Sequence, residues 1–278
     1  MGEIARHPWN TSFTWSDRDG PFRALGPEQV AQFDALGYIV VDPLLPADLL
    51  EAVREETDRF EREVDAALQQ FDGGRVSIAE SGAITFSTHL VARSALLRSL
   101  SRHPTLLGIC ADLVGPDVRL YWDQAVYKKP EKPRRFPWHQ DNGYTYVEPQ
   151  QYLTCWLALT DATVRNGCPH IAAGLHRMGT LAHRYVDPLG FECCDDPPDT
   201  VAAEVPAGGA VVFSSLTPHM TGPNSTAAVR KAYILQYAPT GAMRCEGDPA
   251  AGPPTGRQPC EAPERQYEVL RGGVPAAP

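Results

Sequence analysis

The stretch PAGGAVVFSSLTPHMTGPNSTAAVRKAYILQY, residues 206–237, carries the pattern that decides the fold. A Pro/Gly turn precedes the apolar run AVVFSS, and a polar loop after His219 leads to a second apolar run that opens at Arg230. Short apolar runs bounded by turn residues are typical of buried β-strands. The stretch therefore predicts two strands joined by a loop, with a histidine and an arginine close to that loop.

The segments on either side divide into two kinds. After residue 117 the chain continues with short runs rich in Val, Tyr, Leu and Trp: VRLYWDQAVYKK (118–129), YLTCWLALTD (152–161) and CPHIAAG (168–174). Before residue 117 three segments are predicted to be helical: 26–37, with Pro27 near its start and Gly37 at its end; 45–71, where apolar residues recur at helical spacing; and 101–115, which Gly115 closes. Helices followed by many short strands predict a helix-buttressed β-sandwich or jelly roll.

Composition shifts divide the chain into three parts. Residues 1–26 form a polar arm with four aromatic residues that wraps the body, caps a cleft or contacts another subunit, and the sequence leaves these alternatives open. Residues 27–240 form the predicted domain. Residues 241–278 are rich in Pro and Gly, which predicts a surface extension or a partly disordered segment.

Overall composition limits the classes of function. The 278 residues are 43% hydrophobic, enough to bury a full core, and the formal charge of −9 argues against a nucleic-acid partner. Seven cysteines without framework spacing indicate reduced thiols, and no apolar window approaches a membrane span or a signal peptide. We therefore expect a soluble, cytoplasmic protein, monomeric or homodimeric, that acts on a small molecule.

The tetrapeptide WHQD at 138–141 is the first candidate for chemistry. In a strand, His139 and Asp141 would project from one face, and a second histidine would complete the 2-His-1-carboxylate set of non-heme Fe(II) oxygenases. His-x-Asp alone also occurs as a surface hydrogen-bonded pair, so the second histidine matters. His170, His176, His183 and His219 follow it.

His219 is favoured because of the residue that follows eleven positions later. There Arg230 opens a strand, and its guanidinium would bind a carboxylate of a co-substrate in bidentate fashion, which a lysine would not do with the same geometry. The sequence thus predicts a metal site and an anion site on adjoining strands.

Three motifs together resemble the phytanoyl-CoA dioxygenase (PhyH-like) family of Fe(II)/2-oxoglutarate oxygenases. They are WHQD at 138–141, CWLALTDATVRNGCPHIAAGLHRMG at 155–179 and HMTGPNSTAAVRK at 219–231. The segment HPTLLGICADLVGPDVRLYWDQAVYKKP (103–130) is also similar to the helix and strand that lead to the family's iron site. The resemblance spans roughly 28–240 and implies a mainly β fold, a double-stranded β-helix (jelly roll, cupin-like) core buttressed by N-terminal α-helices.

The resemblance also implies roles for particular residues. His139, Asp141 and His219 match the iron ligands, and Arg230 matches the arginine that salt-bridges the C5 carboxylate of 2-oxoglutarate. Thr221, Trp156 and Tyr127 match other co-substrate residues, although Thr221 capping a turn and Trp156 lying in the core are equally compatible with the sequence. The implied cofactors are Fe(II), 2-oxoglutarate and O2, with ascorbate as a reductant in vitro.

The expected reaction is hydroxylation of a small natural product, with release of succinate and CO2. The carboxylate of Asp141 argues against halogenation, whereas desaturation, cyclisation, epimerisation, endoperoxide formation or acyl-CoA hydroxylation stay open. A cupin-like isomerase or hydrolase and a non-catalytic binding protein are the alternatives from other classes. The expected substrate-binding residues lie in and beside the metal motif: Trp138, Gln140, Asn142 and Tyr144. A run of basic residues before the motif either holds an anionic group of the substrate or forms a solvated loop: Lys128, Lys129, Lys132, Arg134 and Arg135.

Overall fold

Five α-helices and nineteen β-strands are present in residues 4–277, the part of the chain that a computed structural model describes. The helices are α1 Pro27–Leu36, α2 Ala47–Leu68, α3 Ala95–Leu100, α4 Pro104–Leu113 and α5 Asp141–Tyr144. The strands are β1 Tyr38–Val41, β2 Arg75–Val76, β3 Ala79–Glu80, β4 Ile84–Thr88, β5 Val118–Lys128, β6 Phe136–His139, β7 Val147–Glu148, β8 Leu153–Ala158, β9 Pro169–Ala172, β10 Arg184–Val186, β11 Gly190–Glu192, β12 Thr200–Ala202, β13 Ala210–Ser214, β14 His219–Thr221, β15 Arg230–Pro239, β16 Met243–Glu246, β17 Gly256–Pro259, β18 Glu268–Arg271 and β19 Val274–Pro275.

Two antiparallel sheets enclose a common cavity. The major sheet has the order β1-β13-β8-β15-β5-β4-β3-β2, with β18 also paired to β5 and to β19. The minor sheet has the order β12-β9-β14-β6. Strands β2 to β5 and the pair β18-β19 are consecutive neighbours, whereas the other pairs in both sheets, such as β1-β13, β8-β15 and β14-β6, join distant parts of the sequence, as in jelly rolls and other Greek-key folds. The predicted fold class, a mainly β jelly roll, is confirmed.

Helices α1 to α4 pack on the outer face of the major sheet. Val53 and Phe60 of α2, Leu97 of α3 and Ile109 of α4 are buried in one cluster with residues of β5, β8, β13 and β15. The predicted helical buttress is therefore present, and α1, α2 and α4 lie in the three segments predicted to be helical. No helix within residues 4–277 combines the length and the apolar character that crossing a membrane requires.

Side chains of the central strands alternate between this helix-packed core and the cavity. In β8, Cys155 and Leu157 belong to the helix-side core, whereas Trp156 points to the other side. In β15, Tyr233 lies on the helix side and Ile234 on the inner side. The alternation follows from the two-residue repeat of a strand, so position along each strand decides which residues reach the cavity.

The arm before α1 and the segment after residue 240 both pack against the domain. In the arm before α1, Trp15 and Leu25 are buried in the helix-side core, so this segment wraps the body. After residue 240, β18 pairs with β5. Val269 and Leu270 are buried in the same core. The segment after residue 240 is therefore ordered structure that extends the major sheet.

A buried carboxyl group on the helix side of β5 should make folding stability depend on pH. Asp123 accepts hydrogen bonds from the backbone N–H groups of Leu90 (2.7 Å) and Val91 (3.1 Å) and from the Tyr233 hydroxyl (2.8 Å). Burial nevertheless raises the pKa of the Asp123 carboxyl to about 6. The folded state therefore favours the protonated form, and the stabilisation present below the unfolded-state pKa is lost as pH rises through 6.

We expect wild-type protein to lose about 3 kcal/mol of unfolding free energy from this group between about pH 4 and pH 7. The variant Asp123→Asn has no titrating group at this position and should lack that part of the pH dependence. Urea unfolding of both proteins across this range measures the difference. Parallel pH profiles would contradict the raised pKa.

Candidate active site

Two strands of the minor sheet bring two histidines together. β6 pairs with β14, and His139 lies directly opposite His219 in the register. The centroids of the two imidazole rings are 4.1 Å apart. Of the four downstream histidines that the sequence offered, His219 is thus the one that joins His139.

Asp141 joins the two histidines by a different route from the one predicted. β6 ends at His139, and Asp141 is the first residue of the short helix α5, so the two side chains do not share a strand face. The turn between them brings Asp141 Oδ1 to 4.0 Å from His219 Nε2. One ligand atom from each of the three residues lies within 4.8 Å of the others. The predicted constellation is present, built by a strand end and a helical turn.

Backbone carbonyl groups fix the orientation of both imidazoles. His139 Nδ1 lies 2.8 Å from the carbonyl oxygen of Pro137, and His219 Nδ1 lies 3.0 Å from that of Thr217. A carbonyl oxygen only accepts, so Nδ1 of each ring donates this hydrogen bond, and Nε2 is the nitrogen available to a metal ion. Burial lowers the pKa of His139 well below its usual value, which keeps that ring neutral. Both rings therefore offer Nε2 to a metal ion, because Nδ1 is engaged by a backbone carbonyl.

The Asp141 carboxylate is oriented from the major sheet. The hydroxyl of Thr154 on β8 donates a hydrogen bond to Oδ2, and Gln236 Nε2 on β15 donates to the same hydroxyl oxygen at 3.4 Å. The second carboxylate oxygen, Oδ1, faces His219. This chain of contacts links the metal-type donors of the minor sheet to the opposite wall of the cavity.

Because Thr154 orients a carboxylate of this cluster, Thr154→Val should weaken Fe(II) binding about tenfold while the fold is kept. Valine has nearly the same shape and lacks the hydroxyl. Anaerobic Fe(II) titration against a competing chelator measures the change. The matched control is Thr85→Val, because Thr85 is a buried threonine of the same sheet that contacts Glu61 on the helix side. Equal affinities for the two variants would contradict the role of Thr154.

The cluster opens into a cavity of about 400 Å³ between the sheets. Of the co-substrate residues that the resemblance implied, Arg230, Thr221 and Trp156 line it, as does Tyr144 of the substrate set. Further lining residues escaped prediction, although Gln124 and Gln236 could have been found as uncharged polar residues inside predicted strands. These further residues are Ile78, Ala79, Ile84, Phe86, Thr88, Tyr121, Trp122, Gln124, Val126, Phe136, Thr145, Tyr152, Thr154, Phe213, Ile234 and Gln236.

Arg230 lies at the cavity wall without an acidic partner. Its side chain is 1% exposed, and its Nε and Nη1 atoms have no hydrogen-bond partner among residues 4–277. The guanidinium lies 5.0 Å from the ring centroid of Trp156. Burial lowers the pKa of Arg230 to about 9. Buried, unpartnered guanidinium N–H groups fit an anionic group such as a carboxylate.

Four predicted binding residues do not line this cavity. Tyr127 belongs to the opposite face of β5, where its hydroxyl donates to Asp58 Oδ1 (2.6 Å) and lies 3.0 Å from the Thr57 hydroxyl, both on α2. The prediction for Tyr127 was wrong by one strand position, since Val126 lines the cavity. The predictions for Trp138, Gln140 and Asn142 were wrong as well.

These last three residues support the metal motif. Trp138 packs in a separate apolar cluster with Leu181, Cys193 and Cys194. Gln140 is fully buried and bonds to the backbone of Gly179, Leu181 and Leu216, which fixes the turn between His139 and Asp141. Asn142 is fully buried too, and its amide group accepts from the Val147 N–H and donates to the Thr180 hydroxyl.

The three remaining downstream histidines lie outside the donor cluster. His176 is buried against Trp15, with ring centroids 4.3 Å apart. His183 Nε2 accepts a hydrogen bond from the backbone N–H of Gln140 at 3.0 Å, and His170 is half-buried on β9. The interpretation of these three as non-ligands agrees with their positions.

Comparison with known proteins identifies the family. The family described as phytanoyl-CoA dioxygenase (PhyH) matches residues 33–232. The chain belongs to the phytanoyl-CoA dioxygenase family. Among its relatives, a phytanoyl-CoA dioxygenase of Arabidopsis thaliana is 21% identical over 250 residues, which are 76% of this chain and 88% of that protein. Methylphosphonate hydroxylase of Gimesia maris is 30% identical over 154 residues, 54% of this chain and 56% of that protein.

A solved structure with a similar level of sequence identity has the same fold. SnoK, a non-heme α-ketoglutarate-dependent carbocyclase from nogalamycin biosynthesis, is 25% identical with a TM-score of 0.67, covering 81% of this chain and 89% of that chain. Membership of the phytanoyl-CoA dioxygenase family confirms the predicted enzyme class, a 2-oxoglutarate-dependent non-heme iron dioxygenase, and its cofactors, Fe(II) and 2-oxoglutarate. The donor set fits them, because two neutral imidazole nitrogens and a carboxylate oxygen suit Fe(II).

Proposed function

We propose that His139, Asp141 and His219 hold the ferrous ion and that Arg230 binds the far carboxylate of 2-oxoglutarate, in an enzyme that hydroxylates a small, uncharged natural product. One observation carries this proposal: three converging donors share a cavity with a buried guanidinium that has unpartnered N–H groups. A metal isomerase or hydrolase that acts on an uncharged substrate without 2-oxoglutarate would leave that guanidinium without an anion to bind.

When bound, iron and 2-oxoglutarate supply the oxidant: O2 is consumed, 2-oxoglutarate becomes succinate and CO2, and a substrate C–H becomes C–OH. The protein contributes binding and orientation. Thr154 holds Asp141, the carbonyls of Pro137 and Thr217 hold the imidazoles, and Trp156 packs against Arg230. The apolar walls keep water away from the reacting atoms.

Charge in the cavity supports an uncharged substrate. The charged or metal-type side chains that line it are His139, Asp141, His219 and Arg230, all assigned above to iron and 2-oxoglutarate. Two amide groups remain for the substrate. Gln124 Oε1 accepts from Trp122 Nε1 at 3.2 Å, so its NH2 group is left as a donor. Gln236 donates to Thr154, so its Oε1 is left as an acceptor. A mainly apolar molecule with both a hydrogen-bond acceptor and a donor would match this wall.

The basic segment before β6 gives little support for an acyl-CoA substrate. Lys129 pairs with Glu61 (2.7 Å) and Asp65 (3.0 Å). Glu80 pairs with both Lys132 and Arg134, and Glu192 pairs with Arg135 at 2.9 Å. These cations are already compensated, so a polyanionic coenzyme would have to displace existing ion pairs.

Ring closure or epimerisation is the second candidate outcome. SnoK is a carbocyclase, and SnoN, an epimerase solved with Fe3+, α-ketoglutarate and nogalamycin RO, has a TM-score of 0.65 at 22% identity over 90% of this chain and 95% of that chain. These reactions also begin by removing a substrate hydrogen. The same donor set would serve them.

Succinate release tests the proposal. Purified protein is given Fe(II), ascorbate, 2-oxoglutarate and O2 with a panel of neutral polycyclic natural products and their carboxylate or amine analogues. We expect neutral compounds to raise succinate release above the substrate-free rate and charged analogues to fail. Mass spectrometry then separates hydroxylation (gain of oxygen), ring closure (loss of two hydrogen atoms) and epimerisation (unchanged mass). Release independent of Fe(II), or stimulation by the charged analogues alone, would contradict the proposal.

A further inference from the structure

Lys128 is a buried lysine that the reaction described above does not use. It is the last residue of β5, lies opposite Arg230 in the register of β5 and β15, and is 1% exposed. Its ammonium donates to the backbone carbonyl oxygens of Arg134 (2.8 Å), Thr221 (3.0 Å) and Gly222. All three N–H groups of the ammonium are used, and none of these partners is a carboxylate.

The three carbonyl groups lie in or next to the strands that carry the two histidines. Arg134 precedes β6, which ends at His139, and Thr221 ends β14, which begins at His219. Asn224, in the loop from β14 to β15, adds a bond from its side-chain NH2 to the Lys128 carbonyl oxygen at 2.9 Å. One ammonium thus joins the minor sheet to the major sheet where the Arg230 strand begins.

The three carbonyl groups around the Lys128 ammonium, here called the carbonyl cage, are closely packed, as Gly167 of the segment Asn166-Gly167-Cys168 shows. A Cβ at Gly167 would lie 2.5 Å from the Gly222 carbonyl oxygen and 3.2 Å from Lys128 Cδ, and the residue has a φ of +87°. Both facts require glycine there. The segment therefore makes room for the Gly222 carbonyl beside the ammonium.

The carbonyl cage leaves two buried cations side by side. Burial and the neighbouring Arg230 and Arg134 lower the pKa of Lys128 well below its usual value. Three carbonyl acceptors nevertheless use three N–H groups, which only the protonated ammonium carries. Arg134 is itself paired with Glu80 at 3.1 Å. Carbonyl dipoles solvate the ammonium without cancelling its charge. An anion bound at Arg230 would therefore experience the positive charge of Lys128 as well.

We propose that Lys128 is a positioning residue for 2-oxoglutarate: it fixes the 221–222 backbone so that Thr221 and Arg230 face the cavity, and it adds a second positive charge behind the anion site. This inference rests on the proposed role of Arg230. The hydrogen bonds of the Lys128 ammonium go to Arg134, Thr221 and Gly222 and not to the donor cluster, so its influence should fall on the co-substrate more than on the metal ion.

The test is calorimetric titration of 2-oxoglutarate into anaerobic, Fe(II)-loaded protein. Lys128→Met should raise the Kd of 2-oxoglutarate at least about tenfold, and Lys128→Arg, which keeps the charge, about threefold. Fe(II) affinity, and kcat at saturating 2-oxoglutarate, should stay within about twofold of wild type, a split that general loosening of the structure would not give. The control is Lys132→Met, which removes an equal charge from the same segment at a side chain 52% exposed.

Titration of Arg230→Ala in parallel distinguishes a failure of the inference about Lys128 from a failure of the proposed function. If Arg230→Ala loses 2-oxoglutarate binding while Lys128→Met binds it like wild type, the inference about Lys128 is overturned and the proposed function stands. If Arg230→Ala also binds like wild type, the proposed function itself fails. Should Lys128→Met not fold, wild-type affinity in Lys128→Arg together with an unchanged melting temperature would overturn the inference.

Discussion

Asp141→Ala is expected to lower Fe(II)- and 2-oxoglutarate-dependent succinate release by about a thousandfold or more. Asp141 supplies the sole carboxylate of the donor cluster formed with His139 and His219. Without it, two neutral imidazoles remain, which bind Fe(II) weakly and leave its charge uncompensated. Succinate release and the iron content of anaerobically loaded protein measure the two consequences.

The fold of this variant should stay intact, since the side chain it shortens faces a cavity. Its control is Asp195→Ala, which removes a carboxylate that is 50% exposed and pairs with Arg184 at the surface. The control should retain wild-type turnover and iron content. Full turnover in Asp141→Ala would show that Asp141 is not a ligand, whatever the similarity of the sequence to its family.

The presence of the main strands and the identity of the metal donors could be predicted from the sequence, because both depend on patterns of neighbouring residues. Apolar runs between turns marked β5, β8, β13 and β15, and helical spacing marked α2. The His-x-Asp motif and His219 were recognisable as a set through the arginine eleven residues later. Their pairing across β6 and β14 follows once the sheet closes.

Facing direction was harder to predict, because a slip of one residue reverses it. Tyr127 and Val126 are adjacent, yet one contacts α2 and the other lines the cavity. Near the metal motif a strand was assumed to continue past His139, whereas it ends there. Gln140 and Asn142 therefore point into backbone contacts that no strand periodicity describes.

Pairing between β-strands that are distant in the sequence could not be predicted either. Composition after residue 240 suggested an extension, and Pro and Gly do favour turns there. What orders the segment is pairing of β18 with β5 and burial of Val269, contacts across about 150 residues of chain. Lys128 is a similar case, since a KK pair before a proline reads as solvated and only the folded chain places three carbonyl groups around one ammonium.

Arg230→Met is expected to stabilise the protein without ligand and to abolish co-substrate binding. In the absence of 2-oxoglutarate, Arg230 is a buried cation whose Nε and Nη1 atoms have no hydrogen-bond partner among residues 4–277. Methionine fills similar space without that desolvation penalty, and the lost contact with Trp156 offsets about 1 kcal/mol of the gain. We expect a net increase of about 2 kcal/mol in unfolding free energy, and a Kd for 2-oxoglutarate raised at least about a hundredfold.

Adding 2-oxoglutarate should reverse the order of stability of the two proteins. At a ligand concentration of about 100 times its Kd, Fe(II)-loaded wild type gains about 2.7 kcal/mol, whereas Arg230→Met gains almost nothing. Chemical unfolding under anaerobic conditions, with and without 2-oxoglutarate, measures all four values. The control Arg165→Met replaces an exposed arginine and should leave them unchanged. If ligand stabilises Arg230→Met as much as wild type, the carboxylate of 2-oxoglutarate binds elsewhere; if the ligand-free variant is less stable than wild type, Arg230 has a stabilising partner in the folded protein.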